Sequence, residues 1–371
     1  MIDMSKEIKI ADNKGYEHKH TQKNKARRLA SHLISIALGV SSFTVASAIL
    51  VYDAFFMRYS RPDYTLYPGE YVFERLEGKL KREEFYFSAG KSQLKGYYYP
   101  STEGKALVVI VHGFHAGADD FLPVAKSFVE RGYNVFSYDA TGVYDSFGDS
   151  SRGMCQALVD LDNVLTYISK TQPYSNQKVC LFGHSWGGYA VTSVLELHRE
   201  VSACVAVAPM NNGYTIMVEK GVQYAGGVAK ISKPIFDEYQ KYLFKDYVKY
   251  NGLRGVNSTD IPVLIAHGKN DEVILFDKQS VISYRNQITN PNVDYYVTEG
   301  LNGSHNGILL SKEALKYRES IDAQLENLAS LKGKKLTKAE KRNFYLTVDH
   351  ALYSEVNAEL IDKAIKTFEK A

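Results

Sequence analysis

The chain has 371 residues, 45% of them hydrophobic and 23% charged, near the averages of globular proteins, which excludes a disordered, collagen-like or multi-span membrane chain. Its 45 basic and 42 acidic residues leave a net charge of +3, too small and too evenly spread for the basic field of a nucleic-acid binder. Three cysteines without regular spacing supply neither a fully paired disulfide framework nor the CxxC pairs of a structural zinc site.

The first organising feature lies near the N-terminus. From Ala30 to Tyr52 there is no Asp, Glu, Lys or Arg, and Leu33 to Val51 is dominated by Leu, Ile, Val, Ala and Phe; about 20 such residues span a bilayer. The preceding tail carries Lys23, Lys25, Arg27 and Arg28 against the apolar run, which by the positive-inside tendency holds the N-terminus in the cytoplasm. The expectation is a basic cytoplasmic tail over 1–28 and a single-pass membrane anchor over 29–52, with the rest of the chain outside. Ala46-Ser47-Ala48 has the small-x-small form of a processing site, so a chain secreted after signal cleavage is the alternative. Cleavage there leaves Ile49, Leu50 and Val51 at a new N-terminus, which favours the uncleaved anchor.

Beyond the anchor, strands alternate with helices. The pieces 71–75, 84–88 and 94–99 alternate apolar and polar residues and predict antiparallel edge strands. Continuous apolar runs at 106–111, 134–138, 178–182, 203–208, 263–266 and 294–298, bounded by turn-forming residues, predict strands buried on both faces. Between them, 120–130 and 156–168 carry apolar residues at helical spacing. The pattern predicts a mostly parallel sheet covered by helices, over residues 53–320. Within it, a Tyr- and Gly-rich stretch at about 210–258 breaks the rhythm and predicts an inserted cap. A helical C-terminal extension follows at 321–371, with a capping box at Thr337 and Glu340.

The chemistry-bearing motif follows the run at 178–182. Gly183-His184-Ser185-Trp186-Gly187 stands between a strand and a helix, and the G-x-S-x-G spacing lets a serine occupy a strained turn that lifts its hydroxyl above the sheet. A serine nucleophile needs a base, and the base an orienting acid. Asp271 ends the turn after the run at 263–266, with Glu272 adjoining it as the weaker candidate acid. His305 sits in the Gly-rich loop after the run at 294–298 and is the candidate base. The oxyanion donors expected from these positions are the amides of Phe114, in the loop His112-Gly113-Phe114-His115-Ala116-Gly117, and Trp186. His112 and His115 without a carboxylate are a weak metal set, and Cys155, Cys180 and Cys204 lie in apolar contexts where an inert thiol is the default.

Together, HGFHAG at 112–117, YDATG at 138–142, GHSWGG at 183–188, HGKND at 267–271 and GSHNG at 303–307 resemble the α/β-hydrolase superfamily, and more narrowly its bacterial serine aminopeptidase-like and monoacylglycerol-lipase-like members, over residues 70 to 320. The resemblance implies the α/β-hydrolase fold and acyl transfer to water, with no metal or organic cofactor. Such relatives often read Asp-x-Arg-Gly where this chain has Asp139-Ala140-Thr141-Gly142, which leaves the role of that arginine unassigned. Apolar and aromatic residues of the expected cap, Met210, Tyr214 and Met217 among them, would line the cleft and favour a small-molecule ester or lipid-like substrate. A serine aminopeptidase or acyl thioesterase on the same triad is the alternative, with Glu219, Asp237 or Glu238 as carboxylates for a free N-terminus. A noncatalytic binding module is the remote third reading.

Overall fold

The structure, a computed structural model, describes residues 4–76, 78–213, 216 and 227–371, without the side chains of residues 4–26, 37, 40, 41 and 227–231. Eight strands form one sheet: β1 (Glu83–Ala89), β2 (Ser92–Tyr99), β3 (Leu107–Val111), β4 (Asn134–Tyr138), β5 (Val179–His184), β6 (Val201–Val207), β7 (Val263–Gly268) and β8 (Val293–Thr298). Their order is β1-β2-β4-β3-β5-β6-β7-β8, antiparallel at β1/β2 and β2/β4 and parallel from there on. The parallel strands β3, β4, β5 and β7 are buried along their whole length, as continuous apolar runs require when helices cover both faces. In β1, Phe87 and Ala89 point inward while Tyr86 and Ser88 are exposed, the alternation of a half-solvated edge.

Helices α1 (Met4–Phe55), α2 (Leu122–Glu130), α3 (Gln156–Lys170) and α4 (Trp186–Ser193) are followed by α5 (Gly227–Phe244), α6 (Gly252–Asn257), α7 (Lys312–Lys332), α8 (Lys338–Tyr345), α9 (His350–Tyr353) and α10 (Ala358–Glu369). On one sheet face α3 and α4 contribute Leu158, Leu161, Tyr189 and Ala190 to the core. On the other, α2 and α10 contribute Phe128, Leu360, Ile361 and Phe368. The last helix of the segment expected as an extension therefore closes one face of the sheet. The capping box is formed: Thr337 accepts from the Glu340 amide, and Glu340 accepts from the Thr337 amide at 2.8 Å.

The expected strand at 71–75 is instead a helical turn, Phe73–Leu76. The Arg75 amide donates to Val72 O at 3.0 Å, and Leu76 is fully buried. Turn packing, not strand pairing, accommodates the alternating apolar side chains, and the sheet ends at β1. The whole of 29–52 lies in α1. Among the described residues no helix is long and apolar enough to cross a membrane, and Ala37, Val40 and Ser41 within that span fall among the side chains not described. Leu33, Ile34, Ile36, Leu38, Phe43 and Leu50 are all exposed. At its end α1 turns into the protein. Tyr52 and Phe56 are fully buried, Tyr52 meets Phe236 and Tyr239 of α5 at 5.9 and 5.1 Å between ring centroids, and Tyr239 Oη donates to Asp53 at 3.0 Å.

Phe368 of α10 lies against Phe128 and Tyr133 at 5.7 and 5.9 Å. Phe368→Ala is expected to lower unfolding free energy by about 3 kcal/mol or more, read as a lower urea midpoint by circular dichroism. An unchanged midpoint would mean that α10 contributes nothing to the core.

Candidate active site

The backbone reverses direction between β5 and α4 at a single residue, Ser185, with φ 57° and ψ −110°. Such a conformation costs of order 1–3 kcal/mol for a residue with a Cβ and persists only where the surroundings enforce it. Here they do: a Cβ at Gly183 would lie 2.4 Å from Gly187 O, and one at Gly187 would lie 2.1 Å from Val111 O. Glycine at both positions lets α4 approach the end of β3 closely, and that approach fixes the turn.

The loops after β7 and β8 are tied together by the Asn270 amide, which donates to Gly303 O at 3.0 Å. Asp271 and His305 are thereby brought into contact, with His305 Nδ1 donating to Asp271 Oδ2 at 2.8 Å. The carboxylate is almost fully buried and has four donors. The amides of Val273 and Ile274 reach Oδ1 at 2.9 and 2.7 Å, and His267 Nε2 lies 3.2 Å from Oδ2. Burial alone would raise the Asp271 carboxyl, but the hydrogen bonds from His267 and His305 outweigh it and hold the group well below the usual carboxylate range. Glu272 takes a different part, accepting from the His305 backbone amide at 3.2 Å. With Nδ1 engaged by Asp271, Nε2 is, among the described residues, the His305 ring nitrogen without a hydrogen bond, and Ser185 and His305 line the same cleft.

Two further histidines are fixed as neutral supports. His184 Nε2 donates to His305 O at 3.0 Å, and burial, then the neighbouring His305, pushes its pKa down to about 3. His112 Nδ1 donates to Gly113 O at 2.8 Å while its Nε2 accepts from the Ala140 amide at 3.0 Å, and burial lowers it to about 4. Both His112 nitrogens are thus spent on the loop, so His112 is not placed to pair with His115 on a metal. Burial pushes the Cys155 and Cys180 thiols up to about 11 and about 12, as for inert core cysteines.

Phe114 and Trp186 meet edge to face at 5.5 Å, and Trp186 provides the first amide of α4, which has no partner within the helix. The end of α1 covers this loop, with Phe55 stacked on Phe114 at 5.6 Å and Phe56 edge-on at 5.6 Å. Below it, Asp139 Oδ1 accepts from the Ala118 amide at 2.9 Å. A guanidinium does stand beside Asp139, but it comes from Arg61, 3.7 Å from Oδ2 and bonded also to Asp119 and Asp145.

The cleft above Ser185 has a volume of about 540 Å³, and its walls differ from those expected. Among the described residues, none from 210–258 lines it. Met210 is buried in the core and bridges to Ser280, while Tyr214 and Met217, like Glu219, lie outside the described residues. Phe236 and Tyr239 instead hold the end of α1. The walls come from both flanks of the sheet domain: Tyr59, Tyr64, Tyr67 and Tyr71 before it, and Arg318 and Val356 after it. No motif marks these residues. Their one visible signal was the density of tyrosine over 59–71.

Residues 102–246 match the family model described as serine aminopeptidase, S33. The polyketide transferase grgF of Penicillium sp is 26% identical over 120 residues, 32% of this chain and 41% of that protein. Human protein ABHD12B is 26% identical over 188 residues, 46% of this chain and 47% of that protein. The chain thus spans less than half the length of these two curated relatives. An esterase of Pyrococcus furiosus superposes with a TM-score of 0.52 at 19% identity, over 74% of this chain and 97% of that one. At that identity the likeness establishes the fold.

Because the Asp271 carboxyl is held below its ordinary value, it is ionised in the folded chain where the unfolded chain, with a pKa near 3.9, begins to protonate. Its contribution to stability is present above about pH 4 and is lost as pH falls through the folded-state value. Asp271→Asn is therefore expected to be less stable than the parent at pH 7, with the difference shrinking below about pH 4. Denaturant midpoints across pH read this, and a gap that stays constant with pH would contradict it.

Proposed function

We propose that this chain, an α/β-fold hydrolase, cleaves carboxylic esters through an acyl-enzyme on Ser185, with His305 as base and Asp271 as its orienting acid. The observation that carries the reading is the 2.8 Å bond from His305 Nδ1 to Asp271, in a cleft that His305 shares with a serine held in a strained turn. In the first step Ser185 Oγ attacks the substrate carbonyl as His305 Nε2 takes its proton, forming a tetrahedral oxyanion. The amides of Phe114 and Trp186 bind that oxyanion, each worth about 3 kcal/mol in such sites. His305 then returns the proton to the leaving alcohol as the C–O bond breaks. Water, deprotonated by the same nitrogen, attacks the acyl-enzyme and releases the acid with Ser185 restored. Asp271 remains ionised throughout and stabilises the transient imidazolium.

The lining supports an ester over a peptide with a free N-terminus. An ammonium group wants an uncommitted carboxylate, and the carboxylate of Asp120, which lines the cleft, is already bonded by the Gly117 amide and the hydroxyls of Tyr64 and Tyr144. Asp237 and Glu238 are paired with Lys233 and Lys241 on α5, away from the cleft.

The N-terminal helix is read as a single-pass membrane anchor, with the basic tail cytoplasmic and the hydrolase domain outside. What supports this is the uncharged run from Ala30 to Tyr52 together with the exposure of Leu33, Ile34, Leu38 and Phe43 along it, since apolar side chains left without protein cover mark a surface that meets lipid or a partner.

The full chain in detergent is expected to hydrolyse p-nitrophenyl esters, and Ser185→Ala to lose that activity by on the order of 10⁴-fold or more while remaining folded. Full activity in the variant would sink the mechanism, and cleavage of aminoacyl-nitroanilides in preference to esters would replace the substrate class. For the anchor, alkaline carbonate is expected to leave the intact chain in the membrane pellet. Release into the supernatant would refute it.

A further inference from the structure

Besides the histidines, the cleft has one basic lining residue among those described: Arg318, from α7. Its guanidinium is held at two points, with Nε donating to Tyr353 O at 2.8 Å and Nη2 donating to Tyr71 Oη at 2.7 Å. It lies over the Tyr353 ring at 4.4 Å. Neither partner is an anion, and among the described residues Arg318 has no ion pair and no hydrogen bond from Nη1. Tyr71 Oη, having accepted from Arg318, retains its own proton to donate, and Tyr71 also lines the cleft. The competing carboxylate, Asp120, is already bonded by three donors. A fixed guanidinium paired with a hydroxyl donor is the arrangement that binds a carboxylate or phosphate oxygen.

We propose that Arg318 and Tyr71 form an anion subsite of the catalytic cleft, selecting esters that carry a carboxylate or phosphate away from the scissile carbonyl. The inference rests on the reading of Ser185 as an ester-cleaving nucleophile and deepens it by naming the substrate class. It also gives the segment after the sheet a part in recognition, since α7 brings the cation and α9 holds it through the Tyr353 carbonyl.

The test compares p-nitrophenyl hemiglutarate with neutral p-nitrophenyl butyrate on the full chain in detergent. Arg318→Gln is expected to raise KM for the hemiglutarate about tenfold or more with kcat little changed, and to lower kcat/KM for the hemiglutarate about tenfold more than for butyrate. Arg318→Lys, which keeps the charge, is expected to recover part of the loss, and Tyr71→Phe to weaken the anionic ester alone. Equal losses on both esters would show that Arg318 only holds the cleft walls together, and no effect on either would also overturn the subsite. Calorimetric titration with octyl phosphate against octyl glucoside tests the subsite without turnover. Binding of the phosphate by the parent and its loss in Arg318→Gln is the expected result, and equal binding by both chains, or none by the parent, refutes it. If the parent cleaves neither ester yet binds octyl phosphate through Arg318, the ester reading fails and the anion subsite stands. A carboxylate preference in the kinetics, set beside the phosphate titration, separates the two sources of charge.

Discussion

The close contact among Gly183, Gly187 and the end of β3 is the constraint on which the rest of the site depends. Because no side chain separates α4 from Val111 and Gly187 from Gly183, the chain must turn within one residue, and that residue takes the positive φ of Ser185. The strain is sustained by packing on all sides: Trp186 has no solvent exposure, and Tyr189, Ala190 and Val191 behind it are core residues. In the proposed reaction, a hydroxyl positioned this way spends little freedom on reaching its attacking geometry. The two loops that bring Asp271 and His305 together follow the adjacent strands β7 and β8, so the geometry of the proposed triad inherits the spacing of a parallel sheet.

Above that rigid base, the cleft is roofed by segments remote in sequence. The tyrosines at 59–71 and the helices after residue 311 are clasped to one another, through Arg342 to Asp63 at 2.6 Å and Arg318 to Tyr71 at 2.7 Å. The end of α1 lies against Phe114, so the loop expected to supply an oxyanion amide is packed directly beneath the helix that leads back to the uncharged run. In the proposed reading the sheet thus sets the chemistry, while the segments on both sides of it set what can reach the cleft.

This division explains what could be read in advance. The continuous apolar runs at 134–138 and 263–266 were legible as buried strands because burial on both faces leaves one permissible pattern, and the placement of Ser185, Asp271 and His305 just after β5, β7 and β8 was legible because the apolar runs of those strands bracket them. The fate of 71–75 was not, since a short alternating stretch records which side chains are buried without recording whether a neighbouring strand exists to pair with. The lining was missed for a related reason. Apolar residues in an inserted segment are needed whether they face a cleft or clamp a helix, and Phe236 and Tyr239 do the second. Nor does the motif spacing foretell that the arginine near Asp139 comes from position 61, because a long-range ion pair leaves no local signature.

Four histidines crowd the two sides of the turn, and their hydrogen bonds divide the labour among them. His112 has a carbonyl on one nitrogen and an amide on the other, which fixes it as a neutral strut of the loop at 112–117. His184 donates to the His305 carbonyl and is kept neutral by burial, so it steadies His305 without adding charge beside it. His267 lies 2.9 Å from Ile274 O and 3.2 Å from Asp271, helping to hold the acid. Only His305 has a carboxylate on one nitrogen and the cleft at the other. In the proposed reaction, a positive charge on that ring would be met by Asp271, whose other bonds are already made, and by no competing cation on His112 or His184. In the proposed reaction, proton transfer therefore falls to one ring while hydrogen bonds immobilise the rest.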